Sequence, residues 1–557
     1  MKIKGVLLVA WLGFCATVSA QLSENQRFEI MKNMDIFNTL FKNLNLYYVD
    51  TLDVNKTIKG DIDYMLGQLD PYTEYVPEEG MADFKYQLTG EYGGIGSIIT
   101  MHNNKIWIRE PYENMPAARA GLIPGDEILF IDTISMVGKT SADASALLKG
   151  QPNTPLKITY QRRGENAPRE VALERKRIQI APVTYYGVLG KDVGYIYLSG
   201  FSAGSAAESF KTALTDLQKK NKIRSLIIDV RDNGGGSVEE CLEILNNFFP
   251  KGELLLSLKG KNRLLDRDYK ALNQPIAPDL PLVVLTNGNS ASASEILAGT
   301  IQDLDRGVII GSRTYGKGLV QSTHELPYGG RLKVTTAKYY IPSGRSIQAI
   351  NYTQRDTDGR VMAIPDSLTT LYYTRNNRPV RDGGGILPDS VLEDEKLPTM
   401  LYYLQAQDLY FDFVANWRIK HPTVASPDKF VVTDATYNEF TAYVKSKNFT
   451  YDRQSEKTLV NLKKIMEFEG YYEGASAEFQ TLENKLKPDL DRDLKLYKPQ
   501  ISDNLAQEIL EQYYYQKGPI IYELRTDPAV KTAQALLQNT DEYNKILEAS
   551  APRSNSK

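Results

Sequence analysis

The residues whose types and spacing could do chemistry begin with three serines that alternate with alanines. The segment SASASE at 290–295 follows an apolar run and leads into a predicted helix. Small residues let backbone amides approach a bound carbonyl group, and the N-terminus of a helix favours developing negative charge. A serine here could therefore act as a nucleophile. The alternative is that it only caps the helix.

A lysine between two glycines could supply the base for such a serine. Lys317 lies in TYGKGLVQ at 314–321, where the glycines would let the chain pass close to another element. A lysine can replace histidine as the base when burial lowers its pKa from ~10.4 towards ~7. The alternative is that Lys317 is an ordinary surface residue.

A second serine, Ser202, competes with this segment. It lies in GFSAG at 200–204, a literal G-x-S-x-G between a predicted strand and a predicted helix. Such an esterase site needs an acid and then a histidine further along the chain, and only His324 and His421 follow. We therefore interpret the segment as a strand-to-helix turn in which Ser205 caps the helix.

A glycine run ends another predicted strand. The segment DVRDNGGG at 229–236 would present consecutive backbone amides at the sheet edge. Apolar strands alternate with helices from about 185 to 355, which predicts a layered α/β domain with parallel strands. Because ligands bind at the carboxyl ends of parallel strands, this turn and the serine segment could meet there.

The composition excludes several other kinds of chemistry. The chain has 557 residues, with 66 Lys and Arg against 69 Asp and Glu, so its net charge of −3 argues against a nucleic-acid binder that works by bulk charge. Two cysteines and three scattered histidines give no metal-ligand spacing. We expect neither a metal nor an organic cofactor.

The chain divides by pattern into five parts. Residues 1–20 have a basic start, an apolar core and a small-residue cleavage site, which predicts a signal peptide and export, most simply to a bacterial periplasm. Residues 21–85 are predicted helical, 86–178 β-rich, 179–391 α/β, and 392–557 helical again. No further long apolar stretch predicts a membrane span.

The β-rich part contains a glycine turn directly before an alternating strand. The turn is YGGIGS at 92–97. Amides around Gly94, Ile95 and Gly96 could hold the carboxylate of a peptide's C-terminus while the peptide pairs with the strand edge. Its last side chain would then enter an apolar pocket near Ile95 and Ile98.

These segments resemble known families. Residues 86–178 resemble a PDZ domain, through the glycine turn, the segment AGL at 120–122 and the segment PGD at 124–126. The serine, lysine and glycine motifs, in this order after such a module, resemble the carboxy-terminal processing proteases, also called tail-specific proteases, of the S41 peptidase family. The resemblance runs to about residue 389 and leaves the last part without a task.

The resemblance implies a role for each site residue. It makes Ser292 the nucleophile and Lys317 the base, 25 residues later as in the family. It also implies that Gln321 orients the lysine, and that the backbone amides of Ala293 and Gly235 donate hydrogen bonds to the oxyanion. The chain departs from the family by having glycine where the glycine motif usually has proline, which leaves Gly235 and Gly236 as alternatives.

The implied protein is an exported serine endopeptidase with a crotonase/ClpP-like α/β domain, an inserted PDZ domain, N-terminal helices and a helical C-terminal extension. Its partners would be proteins or peptides with free C-termini, with a homo-oligomer or an adaptor as further possibilities. Two alternatives stay open: a catalytically silent PDZ-type scaffold, and an esterase that depends on Ser202.

Overall fold

The computed structural model describes residues 23–355, 361–393, 397–486 and 489–548. The predicted signal peptide lies outside the described residues. The chain forms two compact units: one comprises residues up to 75 together with 323–334, and the other comprises 76–322 together with 335 onwards.

From residue 23 onwards, the first unit forms helices α1 (Glu24–Tyr47) and α2 (Val54–Gly67). Ser23 and Gln26 begin α1 with a reciprocal cap, in which each side chain accepts a hydrogen bond from the other residue's amide. No residue of α1 is buried. Within the same unit Lys333 and Glu74 form an ion pair of 2.8 Å.

A β-rich module occupies residues 91–179 of the second unit. The elements that lead to it and form it are β1 (Glu74–Val76), α3 (Met81–Thr89), β2 (Glu91–Gly94), β3 (Ser97–His102), β4 (Lys105–Pro111), α4 (Pro116–Arg119), β5 (Glu127–Ile131), β6 (Ile134–Ser135), α5 (Ser141–Leu148), β7 (Pro155–Gln161), β8 (Arg169–Glu174) and β9 (Lys176–Gln179). The main sheet has the order β3-β4-β5-β7-β8, and β2 pairs with β9. β3 therefore lies at the edge of this sheet.

The α/β part follows. Its elements are β10 (Val183–Leu189), β11 (Val193–Leu198), α6 (Ala206–Lys219), β12 (Ser225–Asp229), α7 (Val238–Leu245), β13 (Leu254–Gly260), β14 (Arg267–Lys270), β15 (Leu282–Thr286), α8 (Ala293–Asp303), β16 (Val308–Gly311), β17 (Leu319–Glu325), β18 (Arg331–Tyr340), β19 (Ile350–Arg355), β20 (Val361–Ala363), β21 (Leu371–Tyr373), β22 (Pro379–Arg381) and β23 (Ser390–Val391). One six-stranded sheet has the order β10-β11-β12-β15-β16-β23. All its neighbouring strands are parallel except β10 and β11.

Helices cover this sheet on both faces. Every residue of β12 and β15 is buried, which is typical of parallel strands covered on both sides. Helix α6 buries Phe210, Leu214 and Leu217 at helical spacing, and it shares one core with α7 and α8. The serine segment at 290–295 and the glycine turn at 229–236 both follow strands of this sheet.

In its described residues the C-terminal helical region forms ten α-helices: α9 (Thr399–Ala406), α10 (Leu409–Trp417), α11 (Asp434–Ser446), α12 (Gln454–Glu469), α13 (Ser476–Leu486), α14 (Leu490–Leu496), α15 (Lys498–Tyr514), α16 (Lys517–Glu523), α17 (Pro528–Gln538) and α18 (Thr540–Leu547). Helices α9, α10, α11 and α15 share a core of their own. Helices α17 and α18 return to the six-stranded sheet, where Val530 and Tyr543 pack against its second face. Across the described ranges no helix is both long and apolar enough to cross a membrane.

Candidate active site

Ser292 lies where β15 gives way to helix α8. It is the residue before the helix, and its backbone has φ of 56° and ψ of −113°. A positive φ is rare for a residue with a side chain, and such strained positions cluster at functional sites. The Ser292 amide donates a hydrogen bond of 2.9 Å to Glu295 Oε2. The surrounding contacts therefore hold the serine in a conformation that it would not adopt by itself.

Glu295 is the buried centre of this arrangement. Its carboxylate accepts hydrogen bonds from the Thr314 hydroxyl at 2.6 Å and from the Gly316 amide at 2.7 Å. The amides of Lys317 and Ser292 donate to it at 2.9 Å each. Burial raises the pKa of Glu295 to about 7, although these four donors favour the charged form. Glu295 had no predicted role, although glutamate three residues after a helix-capping serine is a recognisable signal.

Lys317 comes from the segment that faces the start of α8. Gly316 before it has φ of +88°, and a Cβ there would lie 2.3 Å from Ala349 Cβ, so only glycine fits. The buried Tyr339 hydroxyl donates to the Lys317 carbonyl oxygen and lies 3.2 Å from that of Ser292. The structure thus connects the backbones of the predicted nucleophile and base twice, through Glu295 and through Tyr339. Tyr339 was not found by sequence reasoning.

Gln321 lies in β17, four residues after Lys317. Its side-chain amide donates a hydrogen bond of 3.1 Å to the Thr335 hydroxyl of β18. It is half-buried, like Lys317 and Ser292. The contact fixes one end of the Gln321 amide, so the orientation of this side chain is defined by the β17–β18 pairing.

The glycine turn packs directly against the serine. A Cβ at Gly235 would lie 2.8 Å from Ser292 Cβ and 3.0 Å from the Ala293 amide nitrogen, and Gly235 has φ of +102°. The Gly235 amide donates a hydrogen bond of 2.9 Å to Asn233 Oδ1. Gly236 instead faces Phe201, whose carbonyl oxygen would lie 2.4 Å from a Cβ there. Of the two glycines, Gly235 is the one that touches Ser292.

Contacts with two other segments hold this turn. The Asn233 carbonyl oxygen accepts from the Ala291 amide at 3.0 Å and from the Ser294 hydroxyl at 2.8 Å. Arg231 binds the buried Asp229 of β12 and also Asp527 of the C-terminal helical region, at 2.6 Å and 2.7 Å. The turn is therefore tied both to the serine segment and to the C-terminal helices.

The predicted peptide-binding residues lie together in the β-rich module. Gly94 ends β2, and Ile95 and Gly96 lead into the edge strand β3, with φ of +71° at Gly96. A cavity of about 390 Å³ between β3 and α5 is lined by both Ile95 and Ile98. Ile98 is 39% exposed, whereas Ile95 is 2% exposed and belongs to the module's core. An open strand edge beside an apolar cavity can take an extended peptide.

Ser202 lies in different surroundings. It packs against the turn at Gly90, where a Cβ would lie 2.9 Å from Ser202 Oγ.

Two of the histidines make contacts elsewhere in the molecule. His102 pairs with Asp408 and Asp412, and His421 stacks on the Trp417 ring with centroids 3.7 Å apart. Within the described ranges, no group of three or more His, Cys, Asp or Glu side chains could hold a metal ion.

The chain is similar in sequence to known proteins. Family models match the chain for "Peptidase family S41" at 192–357, for a PDZ domain at 107–162, and for "Probable PDZ-protease, C-terminal helical domain" at 400–537. The carboxy-terminal-processing protease of Bartonella bacilliformis is 34% identical over 354 residues, which cover 63% of this chain and 80% of the relative. The carboxy-terminal processing protease CtpB of Bacillus subtilis is 34% identical over 57% of this chain and 66% of the relative. A solved photosystem II D1 C-terminal processing protease is 27% identical over 66% of this chain and 89% of its own, with a TM-score of 0.36.

The family models and the Bartonella bacilliformis relative confirm the resemblance that the motifs carry. The protein is a serine peptidase of the S41 type, and therefore a hydrolase, with a PDZ domain and a helical C-terminal domain in a mixed α/β molecule. The chain belongs to the carboxy-terminal processing protease family.

Proposed function

We propose that this protein cleaves protein substrates near their C-termini with a Ser292–Lys317 dyad. The observation that carries this proposal is that the backbone amides of both residues donate to one buried carboxylate, that of Glu295. The start of helix α8 and the lysine segment therefore keep a fixed spacing. Ser202 Oγ instead lies against the turn at Gly90, where a Cβ would be 2.9 Å away.

In the proposed reaction Ser292 Oγ attacks the peptide carbonyl carbon while Lys317 Nζ takes the hydroxyl proton. The carbonyl oxygen becomes an oxyanion, which accepts hydrogen bonds from the amides of Ala293 and Gly235. Lys317 then gives its proton to the leaving amine, and the acyl-enzyme remains on Ser292. A water molecule, activated by Lys317, releases the new C-terminus and restores the serine.

The oxyanion role of Gly235 requires one exchange of hydrogen bonds. Its amide donates to Asn233 Oδ1, and it would turn to the oxyanion as charge develops. The direct packing of Gly235 against Ser292 favours it over Gly236. We assign Gln321, held by Thr335, to the orientation of Lys317.

Substrate choice would rest on the PDZ domain. A peptide's terminal carboxylate would bind amides around Gly94, Ile95 and Gly96, its backbone would pair along the edge of β3, and its last side chain would enter the cavity beside Ile98. Substrates are therefore proteins or peptides with free C-termini. A homo-oligomer or an adaptor would add to this recognition.

We also propose the finer architecture and the location. Parallel strands that alternate with helices support a crotonase/ClpP-like peptidase domain at 179–391, between a PDZ domain at 86–178 and a C-terminal helical region at 392–557, with N-terminal helices at 21–85. Strand β9 extends to Gln179, one residue past the proposed PDZ boundary. Residues 1–20 would direct export to a periplasm.

Incubation of the full chain with peptides that carry free C-termini tests the proposal. Ser292→Ala should abolish cleavage, and Ser202→Ala should keep most of it. An inactive wild type that still binds tails would support the scaffold alternative. Loss of activity in Ser202→Ala with full activity in Ser292→Ala would support the esterase alternative and overturn the dyad.

A further inference from the structure

Arg109 of the PDZ domain reaches out to the C-terminal helical region. Its guanidinium donates to Asp408 at 3.1 Å and to Glu508 at 3.0 Å, and it lies 4.7 Å from the centre of the Phe411 ring. The side chain of Arg109 is 18% exposed and that of Glu508 is 6% exposed. Charges that lose this much water need their partners, because an unpaired charge at such a place is costly.

Two further side chains of the PDZ domain repeat this pattern. Arg163 pairs with Asp412 and lies 4.5 Å from the centre of the Trp107 ring. His102 bridges Asp408 and Asp412, with its ring nitrogens at 3.3 Å and 2.9 Å from their carboxylates. All three basic side chains come from the PDZ domain, and all the acidic partners come from α15 or from the start of α10 and the residue before it.

The backbones also approach closely beside these ion pairs. Gly125 has φ of +87°, and a Cβ there would lie 2.7 Å from Ala415 Cβ in α10. At this point the backbone of the PDZ domain therefore packs directly against helix α10, beside the ion pairs.

We propose that the C-terminal helical region holds the PDZ domain in place through a clasp formed by Arg109, Arg163 and His102 against Asp408, Asp412 and Glu508. The clasp would keep the tail-binding groove in one position, and this consequence for cleavage rests on the proposed function. The attachment itself does not. It gives the C-terminal helical region a task that its sequence pattern alone does not reveal.

The clasp contains more acid than its bases can neutralise. Glu110, next to Arg109, is buried, and its Oε1 has no hydrogen-bond partner among the described residues. Besides burial, the negative charge of Glu508 raises the pKa of both Glu110 and Glu511, and the positive charge of Arg109 lowers it. The charged and titratable groups at this contact are Arg109, Arg163, His102, Asp408, Asp412, Glu110, Tyr443, Glu508 and Glu511, with Glu113 and Lys517 at its rim.

This excess makes the clasp sensitive to pH. Burial raises the pKa of Glu110 and of Glu511 to about 7 each, so the docked state favours their neutral forms. For an acid whose pKa is raised in the docked state, the contribution to docking stability is fully present below the usual pKa of ~4.3. This contribution is lost as pH rises towards 7. Docking should therefore be tighter at pH 6 than at pH 8.

Hydrogen–deuterium exchange of the full chain tests the attachment, with Ser292→Ala as background to prevent self-cleavage. Asp408 has φ of +54°, a conformation that asparagine also tolerates, so Asp408→Asn removes charge without straining the backbone. We expect exchange about tenfold faster in β4 and α10. Glu508→Gln should act likewise, and Lys517→Ala, which breaks the exposed pair with Glu113, should not.

Unchanged exchange in both Asp408→Asn and Glu508→Gln would overturn the clasp, and so would exchange at pH 8 that equals exchange at pH 6 after correction for the intrinsic rate. In the active protein, Asp408→Asn should slow cleavage of a free-acid peptide and spare its amidated counterpart. Equal slowing of both would overturn the holding role. If the wild type cleaved neither peptide, the proposed function would fail while the exchange result would still decide the clasp.

Discussion

The backbones of Ser292 and Lys317 bind the same carboxylate oxygen atom. Both backbone amides donate to Glu295 Oε2 at 2.9 Å, from points 25 residues apart in the chain. A buried acceptor that the two proposed catalytic segments use together fixes their spacing more firmly than either segment could alone, because moving one amide leaves the buried carboxylate without a hydrogen-bond donor.

Glu295→Gln should therefore slow cleavage sharply. The glutamine side chain offers one carbonyl oxygen and one amide nitrogen, and the nitrogen would meet backbone donors instead of accepting from them. We expect kcat to fall about 10- to 100-fold, as for the loss of a hydrogen bond to a buried charged group. Glu208→Gln, in the exposed first turn of α6, serves as the control and should keep wild-type kcat.

The same residue predicts a pH dependence of stability. Because burial raises the pKa of Glu295 to about 7, its contribution to the free energy of unfolding is largest below pH ~4.3 and falls as pH rises to about 7. Glu295→Gln should reduce the loss of stability between pH 5 and pH 8 by about 2 kcal/mol. Urea unfolding at both pH values measures this, and an identical pH slope in the variant would contradict it.

Lys317→Arg should be inactive, although it keeps the charge. An arginine cannot give up its proton near neutral pH, so it cannot act as the base for Ser292. Lys317→Ala should be inactive as well, and Lys220→Arg, at an exposed pair with Asp216, should be fully active. Substantial peptide cleavage by Lys317→Arg would show that another group accepts the proton.

The PDZ groove should distinguish a free C-terminus from an amidated one. Loss of a contact with an ionised group is worth ~1.5–3 kcal/mol, which is about 10- to 100-fold in affinity. Ile98→Asp should weaken binding of the free-acid peptide, because Ile98 lines the cavity and is partly exposed. Ile95 is unsuitable for this test, since its burial in the core would make Ile95→Asp unfold the domain. Equal cleavage of both peptides by the wild type would show that the chain end is not recognised.

Asp527→Asn should lower kcat with little effect on KM. One carboxylate oxygen of Asp527 caps α17 at 2.8 Å from the Ala529 amide, and the other pairs with Arg231 at 2.7 Å. Asparagine keeps the cap but loses the ion pair that holds the glycine turn. We expect kcat to fall about three- to tenfold, corresponding to ~1 kcal/mol.

Asp489→Asn is the matched control for this prediction. Asp489 also caps a helix of the C-terminal region, by accepting from the Arg492 amide at 3.0 Å. It should leave kcat unchanged. If both variants had the same kcat and the same unfolding temperature as the wild type, the link from Asp527 to the glycine turn would have no catalytic role.

The sequence alone determined the family and the local shape of the proposed site. Small residues before α8, glycines around Lys317 and the run at 234–236 are local patterns, and each restricts the backbone of a few neighbouring residues. Alternation of apolar strands with helices likewise predicted the layered α/β part. The PDZ and S41 matches confirm the predicted family.

Only the tertiary structure decided how these segments depend on one another. Tyr339 reaches the carbonyl oxygens of two distant segments, and Arg109 meets Asp408 across 299 residues of chain. Helices α17 and α18 cover the second face of the six-stranded sheet, although the other helices of the C-terminal region separate them from it in sequence. An ion pair between distant segments has no local signature, because its partner is chosen by packing and by the loss of water, which involve residues far apart in sequence.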